Sequence, residues 1–413
     1  MAKQDSLLSV EEARDRILAR FHKLEAERIG IEEASGRILA ADIQAGFNVP
    51  PFANSSMDGF AIVSSDTTRL DSQDGLELHV VDRIAAGSSN RIHIQSGQCA
   101  RIMTGAPLPD GADAVVPFEI VQDCGSRIKL SEAVPLGSCV RPAGQDLSRG
   151  ADALKAGAEL HGPQIALLAA LGQGTVLVSR KPRVTILSTG DELVVPGNPL
   201  GPGQIYNSNT PMLNAAVMEA GGEPKQLPSV RDDEEALTEA IGEAMGSDLL
   251  LTSGGASVGD FDHVKTVLGA HGELAFWRVR VRPGKPLIFG SIEAMPVIGL
   301  PGNPTSAMVT FELFARPAIR AMLGAAVLRP ELHAILDEPI DNRGGRRTYA
   351  RVTLRWLDGA WHASLAGAQD SAMLAPLAHA DGVLEVPEDR NALNPGELAR
   401  VQVWNLPDTL AHG

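Results

Sequence analysis

The stretch Leu249-Leu-Leu-Thr-Ser-Gly-Gly-Ala-Ser-Val-Gly-Asp260 joins a short apolar run to a glycine-rich loop, and it decides the fold of its region. Similar apolar runs occur at Val184–Leu187, Lys225–Pro228 and Val297–Leu300. Helical patterns lie between these runs. Strands that alternate with helices favour βαβ units and a parallel sheet. The sequence therefore predicts an α/β domain from about residue 180 to 325, with helices over Pro211–Ala220, Glu234–Met245 and Thr305–Leu323.

The flanking regions have different patterns. Ser9 and Glu12 form a capping-box pattern, and apolar residues from Val10 to Leu24 recur at helical spacing, which predicts an amphipathic helix. From Gly46 onward, short apolar runs alternate with turn residues, which predicts a β-rich region with no clear helix before Pro163–Leu171. After Pro330 the chain returns to strand patterns, and we predict a small all-β domain with strands at Leu332–Leu336, Tyr349–Trp356, Trp361–Leu365, Val383–Val386 and Ala399–Val403.

Three glycine-rich loops follow predicted strands of the α/β region: Ser188–Leu193, Thr252–Asp260 and Pro301–Thr305. Ligands of open α/β sheets bind beyond the carboxyl ends of the strands. Small residues there let backbone N–H groups approach a phosphate, and helix N-termini favour the anion. The alternative is a set of ordinary tight turns, which is less favoured for three loops together than for one. We predict an oxyanion site, although the chain has no P-loop or dinucleotide fingerprint.

Acidic side chains cluster near the same loops, at Asp191, Glu192, Asp232, Asp233, Asp260 and Asp262. Asp232 and Asp233 also fit the start of a helix, where the dipole favours acidic residues. Asp260 and Asp262 are more typical of oxygen ligands beside a phosphate site. Magnesium takes one or two carboxylates together with substrate phosphates. We therefore predict a magnesium site next to the oxyanion site.

A basic run, Arg278-Val-Arg-Val-Arg-Pro-Gly-Lys-Pro286, stands out in a chain of formal charge −15. If the run is extended, Arg278, Arg280 and Arg282 share one face, and Lys285 lies at a turn. A charged edge strand is the less favoured interpretation. The favoured interpretation is an anion-binding wall.

Composition limits the possible functions. Hydrophobic residues make up 44% of the 413 residues, which is enough for buried cores, and the length predicts several domains. The acidic balance argues against general binding to nucleic acid or to an anionic membrane. We expect no signal peptide and no membrane span, and a cytoplasmic protein in which Cys99, Cys124 and Cys139 are plain thiols.

Six short motifs together resemble the MoeA family, the molybdopterin molybdenumtransferases, which include the E-domain of gephyrin. The most specific is Pro51-Phe-Ala-Asn-Ser-Ser-Met-Asp-Gly59. The others, in family order, are Met103–Pro107, Ser188–Glu192, Ser253–Gly259, Pro283–Pro286 and Leu300–Pro304.

The resemblance implies four domains. An elongated N-terminal helical domain comprises residues 1–43 and 147–178, and a β-rich insertion domain comprises 44–146. An α/β molybdopterin-binding domain with a parallel sheet follows over 179–327, and a small C-terminal β-barrel over 328–413. The resemblance also implies a homodimer, with the molybdopterin adenylyltransferase and molybdoenzyme clients or their chaperones as possible partners.

The implied reaction is magnesium-dependent insertion of molybdate into adenylated molybdopterin, which gives molybdenum cofactor and AMP. The catalytic residues carried over by position are Asp58, Thr104, Asp146, Glu192 and Asp232. Asp262 and Asp232 are the metal candidates. The candidates for substrate or molybdate binding are Ser253, Gly254, Gly255, Ser257, Arg278, Arg282, Lys285, Pro301 and Ser371.

Two departures from the family pattern concern charge. Gln145 stands where many relatives have Glu, which removes a negative charge, and Arg278 and Arg282 stand where relatives often have Lys. Arg keeps the charge but changes the donor geometry.

Two other functions remain open at this point. One is a non-catalytic molybdopterin-binding scaffold or carrier, because fold alone does not establish catalysis. The other is a molybdopterin adenylyltransferase.

Overall fold

The computed structural model describes residues 7–70, 75–88, 92–231, 233–254 and 263–406. These residues form two compact units. The first unit falls within Met1–Glu27, Gly36–Ala40 and Leu177–Gly413, and the second within Arg28–Ser35 and Ala41–Val176. The four-domain division stays a prediction. None of the helices in the described ranges combines the length and apolar composition needed to span a bilayer.

The strands are β1 Ala26–Gly30, β2 Ile43–Gln44, β3 Asn54–Ser55, β4 Gly59–Ile62, β5 Leu76–Ile84, β6 Gln98–Ile102, β7 Ala114–Pro117, β8 Gln122–Asp123, β9 Arg127–Leu130, β10 Val140–Arg141, β11 Asp152–Leu154, β12 Thr175–Ser179, β13 Arg183–Ser188, β14 Leu193–Val194, β15 Ile205–Tyr206, β16 Glu223–Gln226, β17 Leu249–Ser253, β18 Glu273–Arg278, β19 Val281–Arg282, β20 Pro286–Ile292, β21 Met295–Leu300, β22 Glu331–Leu336, β23 Ile340–Asp341, β24 Arg347–Leu357, β25 Ala360–Leu365, β26 Gly382–Val386, β27 Ala392–Leu393 and β28 Leu398–Val403. The α-helices are α1 Val10–Leu18, α2 Gly162–Ala170, α3 Asn209–Glu219, α4 Glu234–Ala244, α5 His263–His271, α6 Pro304–Thr310, α7 Arg316–Leu323 and α8 Ala375–Ala378. A π-helical turn, Phe311–Ala315, joins α6 to α7, and short 3₁₀ turns lie at Ile31–Glu33, Ser64–Arg69 and Phe118–Ile120.

The α/β part of the first unit is built on a six-stranded sheet of order β16-β13-β17-β21-β20-β18. The four strands β16, β13, β17 and β21 are parallel, which confirms the predicted parallel sheet. The strands β20 and β18 extend it with antiparallel pairings, so the whole sheet is mixed. These two strands and α5 were not predicted from the sequence.

Helices cover both faces of this sheet. Leu249 and Leu251 of β17 belong to one buried cluster, which also contains the apolar faces of α1, α3, α6 and α7. Leu250, on the opposite face, belongs to a second cluster with α4 and α5. Successive side chains of a strand point to opposite faces, so an apolar strand is buried on both sides. This is why Leu249–Thr252 has a continuous apolar pattern.

Helix α1 begins as predicted and ends earlier than predicted. The Ser9 N–H donates to a Glu12 carboxylate oxygen (2.9 Å), and the Glu12 N–H donates to Ser9 Oγ (3.1 Å), which confirms the capping box. The helix stops at Leu18, although the apolar pattern continues to Leu24. Phe21 still belongs to the same core, and the Leu24 N–H donates to the Met322 carbonyl at 2.8 Å. The later apolar residues therefore pack on α7 from a non-helical segment.

The C-terminal part of the first unit is a closed β-barrel. The strands follow the order β24-β25-β22-β28-β26, and β26 also pairs with β24, which closes the ring. The alternate apolar residues of these strands fill the interior. The predicted small β-barrel is confirmed.

The second unit is β-rich, as the sequence predicts. Its largest sheet has the order β7-β4-β6-β5-β9-β8, with β5 and β6 parallel and the other pairs antiparallel. Two buried clusters lie in this unit, one around Phe60 and Ile128 and the other around Ile84 and Ala100. Helix α2 covers the predicted Pro163–Leu171 apart from its last residue.

Candidate active site

The three glycine-rich loops meet at one edge of the α/β sheet. Strands β13, β17 and β21 are parallel neighbours, and Ser188 pairs with Ser253, which in turn pairs with Leu300. The strands therefore end at the same level, and the described residues of the loops that follow them line one cavity of about 1100 Å³. The prediction that these loops share one sheet edge is confirmed. Ser253, Gly254 and Pro301, which were predicted to bind substrate, all line this cavity.

Buried amides and hydroxyls tie the cavity floor together. Asn209, at the start of α3, donates from Nδ2 to Ser253 Oγ (2.8 Å) and to the Gly302 carbonyl (2.6 Å). Asn207 donates to Thr210 Oγ1 at 2.9 Å, and Thr210 shares a 2.7 Å hydrogen bond with Ser188 Oγ. The N-terminus of α3 thus faces the cavity. Because the Thr210 N–H donates to Asn207 Oδ1 at 3.0 Å and Pro211 has no N–H, this helix end favours an anion chiefly through the helix dipole.

Gly254 is needed for the conformation of the second loop. Its φ is +94°, in the left-handed region, and an added Cβ would lie 2.4 Å from the carbonyl oxygen of Thr189. Only glycine fits both conditions without strain. The loop backbone therefore lies against the neighbouring loop, which is the close approach that a phosphate-binding turn requires.

Three basic side chains line the cavity: Arg282, Lys285 and Arg346. Arg282 and Lys285 belong to the predicted set. Arg346 was missed because it lies some sixty residues further along the chain, in a Gly-Gly-Arg-Arg turn before β24. The next residue, Arg347, instead pairs with Glu385 (3.5 Å) and Glu388 (3.4 Å). A basic pair after two glycines is the signal that could have indicated one exposed cation.

The prediction that Arg278, Arg280 and Arg282 share one face is wrong. The run is not one extended strand, because β18 ends at Arg278 and β19 begins at Val281 as part of the barrel sheet. The Arg278 guanidinium lies over the Trp277 ring, 3.5 Å from its centroid, and Arg278 is outside the cavity lining. Arg280 approaches Glu388 at 3.9 Å. Only Arg282 of the three lines the cavity.

The barrel contributes a loop to the lining, which includes Asp370 and the predicted Ser371. Asn303 donates from Nδ2 to Ser371 Oγ at 2.8 Å, and the Thr305 N–H donates to the Ser371 carbonyl at 3.2 Å. These bonds fix the barrel loop on the start of α6. Glu192 and Asp341 add further carboxylates to the lining.

Three predicted catalytic residues, Asp58, Thr104 and Asp146, lie in the second unit. Thr104 donates from both its backbone N–H and its Oγ1 to Asp58 Oδ1, each at 2.7 Å. These two hydrogen bonds hold the pKa of Asp58 below its usual value, so the exposed carboxylate stays ionised. Asp146 is exposed, and its backbone N–H donates to the Val49 carbonyl at 3.0 Å.

The remaining predicted residues lie outside the described residues: Asp232, Gly255, Ser257, Asp260 and Asp262. Within the described ranges, no group of three or more His, Cys, Asp or Glu side chains is placed to hold a metal ion.

Three family models match the chain and together cover most of it. They are described as MoeA N-terminal region (domain I and II), over residues 8–172, probable molybdopterin binding domain, over 185–321, and MoeA C-terminal region (domain IV), over 333–404.

Relatives and solved structures agree with these matches. The chain is 35% identical to molybdopterin molybdenumtransferase 2 of Mycobacterium tuberculosis over 387 residues, covering 92% of this chain and 94% of the relative. It is 36% identical to the molybdopterin molybdenumtransferase of a Nostoc species, covering 93% and 89%. A crystal structure of the molybdopterin biosynthesis MoeA protein from Pyrococcus horikoshii superposes with a TM-score of 0.83 at 34% identity, covering 97% of this chain and 100% of that one. The chain therefore belongs to the MoeA family, the molybdopterin molybdenumtransferases.

Proposed function

We propose that the chain is a molybdopterin molybdenumtransferase that inserts molybdate into adenylated molybdopterin and releases molybdenum cofactor and AMP. One observation carries the proposal: the carboxyl edge of the sheet, the start of α3 and the cations Arg282, Lys285 and Arg346 converge on one cavity. Such a cavity suits a ligand that is both large and anionic. Family membership supports the same reaction class.

The chemistry explains why several cations are needed. Molybdate is a dianion, and the phosphoanhydride of the adenylate is also negatively charged, so the two substrates repel each other in water. Fixed cations and N–H donors that hold both anions remove this repulsion and stabilise charge on the departing AMP. We assign Arg282, Lys285 and Arg346 to the oxyanions and the loop at Ser253 to a phosphate. Ser371, on the barrel loop, supplies a hydroxyl to the same cavity.

We propose that Asp58, Thr104 and Asp146 also take part, together with Glu192. The two hydrogen bonds from Thr104 keep Asp58 ionised, so Asp58 acts as a hydrogen-bond acceptor or charge partner and is a weak proton donor. This distinguishes Asp58 from a general acid, which needs a raised pKa.

We further propose that the reaction requires Mg²⁺, bound by Asp262 and Asp232. Magnesium bound there would neutralise the substrate phosphates, its usual role beside one or two carboxylates. Calorimetric titration with Mg²⁺ tests this assignment directly. Asp262→Asn should weaken Mg²⁺ binding in the absence of substrate; unchanged binding would refute the role of Asp262.

We also propose that the protein is a cytoplasmic homodimer, with the molybdopterin adenylyltransferase and molybdoenzyme clients or their chaperones as partners. The acidic net charge of −15 supports a function without nucleic acid or membrane binding. Light scattering of the purified chain tests the oligomeric state, and a monomer at micromolar concentration would contradict the dimer.

The main experiment measures AMP release from adenylated molybdopterin with Mg²⁺, with and without molybdate, and then activation of a cofactor-free molybdoenzyme by the product. We expect release to depend on molybdate. Arg346→Gln should reduce release about tenfold or more, as expected for the loss of a charge-assisted contact. The matched control is Arg355→Gln, because Arg355 lies in the barrel, is well exposed, pairs with Asp337 and, like Asp337, is outside the cavity lining.

Two outcomes would overturn the proposal. Binding of the adenylate without cleavage at any molybdate concentration would indicate a scaffold or carrier. Consumption of ATP to adenylate molybdopterin would indicate an adenylyltransferase.

A further inference from the structure

Among the described residues that line the cavity, Tyr206 carries the accessible aromatic ring. The chain has only two tyrosines, Tyr206 and Tyr349, and both line the cavity. Tyr349 is 5% exposed, and burial raises its pKa, so it is part of the wall. Tyr206 is 46% exposed, and its neighbour Ile205, also in the lining, is 55% exposed. A large part of the Tyr206 surface is therefore available to a ligand.

Backbone pairing holds Tyr206 in place. Strands β14 and β15 form a two-stranded parallel ladder in which Val194 pairs with Tyr206. The Ile205 N–H donates to the Glu192 carbonyl at 2.9 Å, and the Asn207 N–H donates to the Val194 carbonyl at 2.9 Å. Asn207 in turn is fixed to the floor through Thr210. Tyr206 is thus presented by a fixed backbone between the loop after β13 and the start of α3.

The cavity is much larger than an oxyanion requires. Sites for drug-sized ligands have volumes of roughly 300–1,000 Å³, and this cavity has a volume of about 1100 Å³. The basic side chains and the hydroxyl groups of the cavity floor are suited to bind the anionic part of a ligand. An exposed aromatic ring beside an exposed Ile accounts for a flat apolar part, since aromatic rings stack on heterocycles through offset π-contacts.

We propose that Tyr206 is the specificity-determining residue for the planar heteroaromatic ring of the substrate, with Ile205 beside it. The ring of the ligand stacks on the Tyr206 phenol while the anionic groups bind Arg282, Lys285 and Arg346. This inference rests on the proposed function for the identity of the substrate, which carries two such rings, an adenine and a pterin. Either ring has the required chemistry, and the experiment decides which one binds here.

The test compares ligands that contain a ring with a matched ligand that lacks one, by calorimetric titration of the full chain. The probes are AMP, 6-hydroxymethylpterin phosphate and ribose 5-phosphate. We expect Tyr206→Ala to weaken binding of one ring-containing probe about tenfold or more, the usual scale of a base–aromatic stack. Tyr206→Phe, which keeps the ring, should bind within about twofold of wild type. Ribose 5-phosphate should bind equally to all three proteins.

Trp356→Ala provides the matched control, because Trp356 is 47% exposed, lies in the same unit and is outside the cavity lining. This variant should leave the affinity for every probe unchanged. The probe that loses affinity in Tyr206→Ala identifies the ring: AMP indicates adenine, and the pterin phosphate indicates pterin.

Several results would overturn the inference. These are equal affinities for wild type and Tyr206→Ala, an equal loss for ring-containing and ring-free probes, or no binding of either ring-containing probe by wild type. If Tyr206→Ala differs from wild type in mass by light scattering and loses affinity equally for all probes, Tyr206 lies in a contact between protein chains instead. Failure of the proposed function is separate, since it shows as absent AMP release in wild type whatever the effect of Tyr206→Ala on binding.

Discussion

A buried carboxylate in the helix between α6 and α7 offers a strong test of what stabilises the first unit. Glu312 lies in the π-helical turn and is 2% exposed. Arg329 donates from Nε and Nη2 to its two oxygens, each at 2.9 Å, and Arg316 approaches at 3.8 Å. Burial lowers the pKa of Arg329, but the hydrogen bonds to Glu312 and its negative charge raise it by more. The pKa of Arg329 therefore lies above its usual value. The Arg329 guanidinium is therefore charged at neutral pH.

Glu312→Gln keeps the side-chain volume and removes the negative charge, which leaves buried guanidinium groups without their counterion. Removing one partner of a buried pair costs about 3–5 kcal/mol. Arg329 keeps a hydrogen bond to the Trp404 carbonyl (3.4 Å) and is partly exposed, so we expect the lower end, about 3 kcal/mol. At about 2–4 °C per kcal/mol, the Tm of this unit should fall by roughly 6–12 °C.

Urea unfolding followed by tryptophan fluorescence measures this change, since Trp404 lies next to Arg329. The control is Glu331→Gln, because Glu331 forms a 3.5 Å pair with Arg400 in which both side chains are well exposed. Exposed pairs contribute about 0–1 kcal/mol. The double variant Glu312→Gln with Arg329→Gln should recover part of the loss. If Glu312→Gln destabilises no more than Glu331→Gln, the buried pair does not stabilise the unit as argued.

Three further predictions concern charge and backbone space. Thr104→Val removes one of the two hydrogen-bond donors to Asp58, so the pKa of Asp58 should rise toward its usual value. The acid limb of the pH–activity profile should then move to higher pH. If the limb does not move, ionisation of Asp58 is not required for activity. Burial raises the pKa of Asp248, but hydrogen bonds, chiefly from Arg180, lower it by more, so the net pKa lies below its usual value. The ionised Asp248 therefore stabilises the fold above about pH 4, and this stabilisation is lost as the pH falls through the lowered pKa. Urea midpoints from pH 6 to pH 3 should therefore fall less steeply for Asp248→Asn than for wild type, and parallel curves would contradict this. Gly254→Ala should weaken anion binding about tenfold or more and also lower the Tm, because the added Cβ would clash with the Thr189 carbonyl and displace the loop backbone. Wild-type affinity in this variant would show that the close approach is unimportant.

Local sequence patterns predicted the four parallel strands of the α/β domain and the helices α3 and α4, because each of these elements is determined by its own periodicity and flanking residues; β18, β20 and α5 were not predicted. The continuous apolar run at Leu249 requires burial on both faces, which only a central strand between two helical layers provides. The capping box at Ser9 likewise acts within four residues. The end of α1 was not predictable in this way, since Leu24 leaves the helix to bond a carbonyl about 300 residues further along the chain.

The candidate site could be predicted only where its residues lie in loops next to strand ends. The three glycine-rich loops were found because parallel strands bring their carboxyl ends to one edge. Asn209 was missed because an Asn at the start of a helix is ordinarily a capping residue, and its bonds to Ser253 and Gly302 depend on the packing of α3. Its contribution comes from tertiary packing, which no local pattern records.

A two-residue strand explains how two distant arginines reach the same cavity. Strand β19 leaves the α/β sheet after β18 and pairs in parallel with β24 of the barrel, with Val281 opposite Arg347 and Arg282 opposite Thr348. This register buries Val281 and leaves Arg282 exposed beside the turn that carries Arg346. A shift of one residue would exchange the two faces and bury a charge in place of a valine, which is costly. The burial of Val281 therefore fixes the position of Arg282. The anion site depends on the pairing of β19 with β24 of the barrel as much as on the sequence motif that contains Arg282.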